Sequence, residues 1–328
     1  MNKYKDLSIL KNMKSVCLIG HIEPDTDAYA SMLVFKNFLK SNFNINTIDL
    51  FADAKSITEY YKPLLGDAKI NPKVKNYDAV IRMDAPNAER LGKFRDLYLQ
   101  TKLKLVIDHH ATNNFDGNIN VVEFVSSTCE IVYNILKEYN YKLSRSEKEM
   151  IYAGIITDTN NLTVGNFSSK TLTIVADMLD DIDHTAIYNH FLANNSFKHM
   201  QALAIAINNA NFDPNDKKLI TYISPSQAKD INLQLEDIQG IANHLATTRG
   251  SLMTCLIEPR ENAFYVSMRS CYGFDVGKIA KKYGGGGHTG AAAFISTESI
   301  DKIKHVINEE FDKELKSKKI KKIKIFKK

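Results

Sequence analysis

Three side chains in the segment HIEPDTDA, residues 21–28, are of the types that bind divalent metals: His21, Asp25 and Asp27. Pro24 stiffens this turn and favours an extended Glu23, so one imidazole and two carboxylates can converge on a small volume. Further along, VIRMDAP carries Asp84, LVIDHHATN carries Asp108, His109 and His110, and GIITDT carries Asp158. Mixed carboxylate and imidazole donors suit Mn2+, with Fe2+, Co2+ or Zn2+ also compatible. So many acids in one place repel one another unless cations neutralise them. Two ions about 3.5–4 Å apart, bridged by carboxylates, resolve that repulsion and equip a site for phosphate-ester hydrolysis. Each residue alone has a plainer reading. Asp27 suits a helix cap, the paired histidines a packed turn, and Asp158 in TDTN a turn. Together those readings require four independent coincidences.

The elements around these residues explain why they can meet. Residues 15–20, SVCLIG, read as a short buried strand. A helix follows, with Ala28, Met32, Phe35 and Leu39 on one face, and Asp25 or Asp27 can cap its start. The run from Tyr77 to Met83 ends at Asp84, and residues 103–107 lead into Asp108. Residues 144–156 are helical in pattern, with Asp158 just beyond. Strands alternating with helices predict an α/β fold with a mostly parallel sheet. Such sheets bind ligands beyond the C-terminal ends of their strands, which is where Asp25, Asp84 and Asp108 stand.

The second half has a different texture. Strand-like runs occupy 219–224, 251–258 and 263–270, and a helix-like DVGKIAKKY precedes GGGGH. In AFYVSMRS, Phe264, Val266 and Met268 share one face, and Tyr265, Ser267 and Arg269 the other. Arg269 offers a planar fork of donors for a phosphate, and Ser267 a hydroxyl. The plainer reading is a solvated strand face. Gly284, Gly285, Gly286 and Gly287 allow close backbone approach to an anion, with His288 beside them. The spacing matches neither a Walker A loop nor a dinucleotide fingerprint.

These motifs, in this order, resemble the DHH phosphoesterases. His21-Ile-Glu-Pro-Asp25-Thr26-Asp27-Ala28 is similar to the family's first motif, Asp84 to its second, Asp108-His109-His110 to the motif that names it, and Gly154-Ile-Ile-Thr-Asp158-Thr to its fourth. Ser126-Ser127-Thr128-Cys129-Glu130 resembles the Ser-Ser-Thr-x-Glu stretch that follows the family motif. The resemblance runs from about residue 12 to about residue 312. It implies that His21 and Asp25 hold a first metal, Asp27 and His109 a second, and that Asp84 and Asp158 are shared. It casts Asp108 as a supporting group for an imidazole. His110 becomes a phosphate contact or a proton donor to the leaving group. Arg269 and Gly285, Gly286, Gly287 and His288 resemble the DHH-associated C-terminal domain, with Ser267 assisting. The family pattern there has Ala-Ala-Gly, and Ala293 stands where Gly is expected.

The implied organisation is a DHH domain over residues 1–190, a linker over 191–215, a smaller α/β substrate-binding domain over 216–312 and a basic tail over 313–328, with a cleft between the domains. The arrangement most resembles the nanoRNase/pAp phosphatase group. That implies two divalent ions, Mn2+ foremost, and release of mononucleotides from oligoribonucleotides of two to five residues. It also implies dephosphorylation of adenosine 3′,5′-bisphosphate (pAp) to AMP. Alternatives are a manganese-dependent inorganic pyrophosphatase, toward which Thr26 leans, a phosphodiesterase for linear pApA, and an inactive RNA-binding protein on the same fold.

Composition constrains the rest. The 328 residues give room for two domains, and 44% are hydrophobic, enough for two cores. Eight lysines lie in the last thirteen residues, KSKKIKKIKIFKK; without them the formal charge of +5 becomes −3. The tail therefore carries the charge to attract RNA or an anionic surface, or serves as a solubilising end. Cys17, Cys129, Cys255 and Cys271 fit neither a zinc ribbon nor a disulfide framework, so a reducing cytoplasm is expected. No membrane span and no signal peptide are expected. A homodimer is compatible with this reading.

Overall fold

A computed structural model describes residues 4–54, 59–163, 165–210, 212, 215–271, 273–287 and 289–317. His288 and the lysine-rich tail from 318 onward lie outside the described residues. The chain forms two compact units that divide at Asn194/Asn195.

In the first unit five strands form one parallel sheet: β1 (Ser15–Ile19), β2 (Thr47–Phe51), β3 (Ala79–Met83), β4 (Leu103–Asp108) and β5 (Ile119–Val122), in the order β2-β1-β3-β4-β5. Its helices are α1 (Thr26–Asn42), α2 (Lys62–Leu65), α3 (Arg95–Gln100), α4 (Thr128–Glu138), α5 (Arg145–Asp158), α6 (Ser169–Leu179) and α7 (His184–Phe191). The central strands are apolar on both faces because helices cover both. Val16, Leu18, Ile81 and Ile107 face the larger core with α1, α4 and α5. Cys17, Ile19, Phe51 and Val80 face a smaller core with Leu91, Phe94 and Tyr98.

Helix α1 is buried along Met32, Phe35 and Leu39, the face its periodicity predicts. Asp25 is its N-cap, accepting from the Ala28 N–H at 3.0 Å. Asp27 lies inside the first turn and is only 1% exposed, so it is not the cap. Glu23, expected to be extended, instead has φ 49. Backbone bonds on both sides lock this left-handed turn: Ile22 N–H to Arg90 O at 2.7 Å and Glu23 N–H to Asp53 O at 2.9 Å.

The second unit holds a mixed sheet of β6 (Lys218–Tyr222), β7 (Met253–Arg260), β8 (Ala263–Ser270), β9 (Gly286–Gly287) and β10 (Ala291–Ser296), ordered β6-β7-β8-β10-β9. Its helices are α8 (Phe197–Asn208), α9 (Pro225–Asp230), α10 (Leu235–Ile238), α11 (Ile241–Ala246), α12 (Val276–Lys282) and α13 (Ile300–Ser317). Helix α8 falls within the segment 191–215 that the sequence suggests as linker. Its Ala202 and Ala206 join the core of this unit with Ile238, Ile241 and Leu256. No described helix is long and apolar enough to cross a membrane.

Gly154 couples the packing of the first unit to its polar end. A Cβ there would collide with Cys129 Sγ and lie 2.9 Å from Asp27 Oδ1. Gly154→Ala should therefore cost about 1–3 kcal/mol of stability through overpacking. A denaturant titration checks this, and an unchanged midpoint would show that α4 and α5 are not so closely apposed.

Candidate metal centre

The C-terminal ends of β1, β3 and β4 deliver His21, Asp84 and Asp108 to one edge of the sheet. Asp84 has φ 53, an uncommon conformation for a residue with a side chain, and its N–H bonds Ile107 O at 3.0 Å. The start of α1 adds Asp25 and Asp27, and the end of α5 adds Asp158.

These side chains gather into three groups able to hold a cation: His21, Asp25 and Asp84; Asp27, His109 and Asp158; and Asp84 with His109 and His110. His21 Nε2 lies 3.7 Å from Asp25 Oδ2 and 3.6 Å from Asp84 Oδ2. His109 Nε2 lies 3.5 Å from Asp84 Oδ1 and 3.3 Å from Asp158 Oδ2. Most of these separations are too long for hydrogen bonds. They suit two ligands of one ion: atoms about 2.1 Å from a shared metal sit about 3–3.7 Å apart. Asp84 turns one oxygen to each side, Oδ2 to His21 and Oδ1 to His109. Asp158 falls in the second group alone, whereas the family resemblance implies that it is shared.

Neighbouring groups orient the imidazoles. His21 Nδ1 is 2.8 Å from Ile22 O and His109 Nδ1 is 3.3 Å from Val125 O, so each ring directs Nε2 at the carboxylates. His110 Nδ1 donates to Asp108 Oδ1 at 2.7 Å, and Asn113 Nδ2 holds Asp108 Oδ2 at 2.5 Å. Asp108 is fully buried and reaches His110.

The electrostatics test whether a cation fits. Burial, reinforced by the charge of Asp84, pushes Asp27 up to about 7. Burial and the charges of Asp27, Asp25 and Asp84 raise Asp158 well above the carboxylate range. Burial works against the charge on Asp84 too, but His21, His110 and His109 outweigh it and hold that carboxyl low. Burial likewise opposes protonation of His21, His109 and His110, yet the surrounding carboxylates raise all three. These donors hold more negative charge than their surroundings tolerate, so the residues fit divalent cations.

The second unit contains the other residues singled out from sequence. Arg269 Nε donates to Asn243 Oδ1 at 2.6 Å and Nη1 to Met268 O at 3.0 Å. Ser267 is buried, and its hydroxyl donates to Glu258 Oε1 at 3.1 Å. Gly286 and Gly287 form β9 and pair with β10, and a Cβ on Gly285 or Gly287 would strike the carbonyl of Ala293 or Ala291. Gly286 has open space around its Cα. Thr128, Asn113, Asn243 and Glu258 were not assigned roles from sequence. Thr128 and Asn113 carried a signal, as members of the Ser126–Glu130 segment and of LVIDHHATN.

The split carboxylate of Asp84 leads to a contrast between two variants. Asp84→Asn should reduce bound Mn2+ at both positions and lower turnover at least about 100-fold. Asp158→Asn should retain one ion per chain. Metal analysis after equilibrium dialysis checks this; loss of both ions from Asp158→Asn would make Asp158 a shared ligand after all.

Comparison with known proteins agrees with this architecture. Residues 15–155 match the DHH family N-terminal domain, and residues 215–313 match the DHHA1 domain. The chain is 26% identical over 309 residues to the probable bifunctional oligoribonuclease and PAP phosphatase NrnA of Streptococcus mutans, covering 90% of this chain and 94% of that protein. An exopolyphosphatase-related protein from Bacteroides fragilis has the same fold, with a TM-score of 0.87, 19% identity and coverage of 94% and 95% of the two chains. Exonuclease RecJ bound to manganese is more distant, with a TM-score of 0.56, 11% identity and coverage of 98% and 97%. With both domains matched in order along its length, the chain belongs to the DHH family and is a hydrolase of phosphoester bonds.

Proposed function

We propose that this hydrolase uses two divalent ions, Mn2+ foremost, to release mononucleotides from RNA of two to five residues and to convert pAp to AMP. The observation that carries the two-metal reading is Asp84, whose two oxygens face separate groups of histidine and aspartate. In this reading His21 and Asp25 hold the first ion, Asp27, His109 and Asp158 the second, and Asp84 both. Manganese follows from the mixed donor set and is the ion bound by the distant RecJ structure.

When bound, such ions bring the ionisation of a water near neutral pH and neutralise charge on phosphoryl oxygens. The chain's own groups do the rest. Asp108, held by Asn113, fixes the proton on His110 Nδ1 and orients the ring. With Nδ1 committed to Asp108, Nε2 of His110 is the atom left to protonate the leaving oxygen. Asp25, with its side chain 54% exposed, is the ligand nearest to solvent-borne substrate.

The substrate reading draws on the name of the Streptococcus relative and on the second domain. There, Asn243 and Met268 O steady the Arg269 guanidinium, which is proposed to take a terminal phosphate with Gly286 and His288. Anchoring that phosphate favours short chains. Ser267, already bonded to Glu258, contributes by fixing strand β8.

A rate panel with purified protein and Mn2+ tests this proposal. It contains pyrophosphate, pAp, linear pApA, RNA two-mers and five-mers, and an RNA 24-mer. The short RNAs should be hydrolysed fastest and pAp at a slower or comparable rate. A preference for pyrophosphate would make the chain a pyrophosphatase, and a preference for the 24-mer would end the short-substrate proposal.

A further inference from the structure

The segment Ser126-Ser127-Thr128-Cys129-Glu130 opens α4 and has no part in the reaction described above. Its outer side is tied down. Glu130 is buried and accepts from Ser126 Oγ at 2.5 Å, Ser126 N–H at 3.3 Å and Thr171 Oγ1 at 2.7 Å. Ser127 caps the helix, its Oγ accepting from the Glu130 N–H at 3.1 Å. The inner side faces the carboxylates. The N–H groups of Thr128 and Cys129 donate to Asp27 Oδ2 and Oδ1 at 2.7 and 2.9 Å. The hydroxyl of Thr128 donates to Asp84 Oδ1 at 2.9 Å.

Thr128 therefore holds two acids that sequence and geometry assign to different roles: Asp27 in one group, and Asp84 across both. It is fully buried, so neither bond competes with solvent. The hydroxyl meets the same Asp84 oxygen that faces His109. Its donated proton limits rotation of the Asp84 carboxylate and so determines which oxygen faces which group. The paired amides do the same for Asp27, with the positive end of the α4 dipole favouring its charge.

We infer that Thr128 is a positioning residue that fixes Asp27 and Asp84 relative to each other and thereby sets the affinity of the metal pair. The inference rests on the two-metal reading above. Groups that orient ligands in this way typically contribute 10–100-fold to metal affinity or activity.

The test compares Thr128→Val, which removes the hydroxyl at nearly constant size, with Thr128→Ser, which keeps it. Both chelator-stripped variants and the native protein are titrated with Mn2+ by calorimetry, and kcat and KM are measured on pApA. Thr128→Val should bind Mn2+ about 10–100-fold more weakly and lose kcat to a similar degree, with KM little changed. Thr128→Ser should restore Mn2+ affinity to near the native value. Thermal unfolding of the stripped proteins reports folding separately. If Thr128→Val does not fold, Thr128→Ala carries the same expectation with less bulk in the site. Native affinity and kcat in the folded hydroxyl-free variant would overturn the inference, as would a Thr128→Ser variant as impaired as Thr128→Val. Failure of the native protein to bind Mn2+ would instead overturn the two-metal reading on which the inference rests.

Discussion

Mutual repulsion among carboxylates at the end of the parallel sheet is the constraint on which the rest depends. Asp25, Asp27, Asp84 and Asp158 crowd around three imidazoles, and Asp27 and Asp84 are almost wholly buried. Buried charge so close together is costly unless it is paired. The chain meets part of that cost internally. The start of α4 presents two N–H groups to Asp27, and His21 and His109 approach Asp84 from opposite sides. What remains unbalanced is expressed in the raised proton affinities of Asp27 and Asp158. Divalent cations would balance the remainder, and their Lewis acidity is what phosphoester hydrolysis needs.

The fold follows from the need to bring these residues together. Parallel strands all end at the same edge, so side chains far apart in sequence arrive at one place. Helices then fix directions that strands alone leave loose. Asp25 caps α1 while serving the site, so one carboxylate both terminates an element and joins a group able to hold a cation. Gly154 lets α5 lie against Cys129 and Asp27, which places Asp158 at the end of α5 within reach of His109.

Much of this was legible from sequence because the strands that carry the site are short, apolar runs ending in acids. The buried face of α1 and the edges of β1, β3 and β4 could be read directly. Less legible were β2 and β5, whose polar residues and partial exposure blur the apolar signal. Glu23 departs from the extended backbone that Pro24 favours because two backbone bonds to distant segments outweigh that restriction. Local spacing could not decide between Asp25 and Asp27 as cap, since the outcome depends on α4, a hundred residues away. The same holds for Ser267. Strand alternation puts it on the face of Arg269, but only the fold reveals Glu258 beside it on β7. The tandem glycines read as an anion loop, and the fold adds a second demand on them: Gly286 and Gly287 pair with β10, and Gly285 and Gly287 pass too close to its backbone for a Cβ.

The central claim is that Asp84 joins two metal positions. Diffraction from Mn2+-grown crystals, recorded at the manganese absorption edge, tests it most directly. The account predicts two anomalous peaks per chain, about 3.5–4 Å apart. One should be ringed by His21, Asp25 and Asp84 Oδ2, and the other by Asp27, His109, Asp158 and Asp84 Oδ1. A single peak, or two peaks without Asp84 between them, would contradict it.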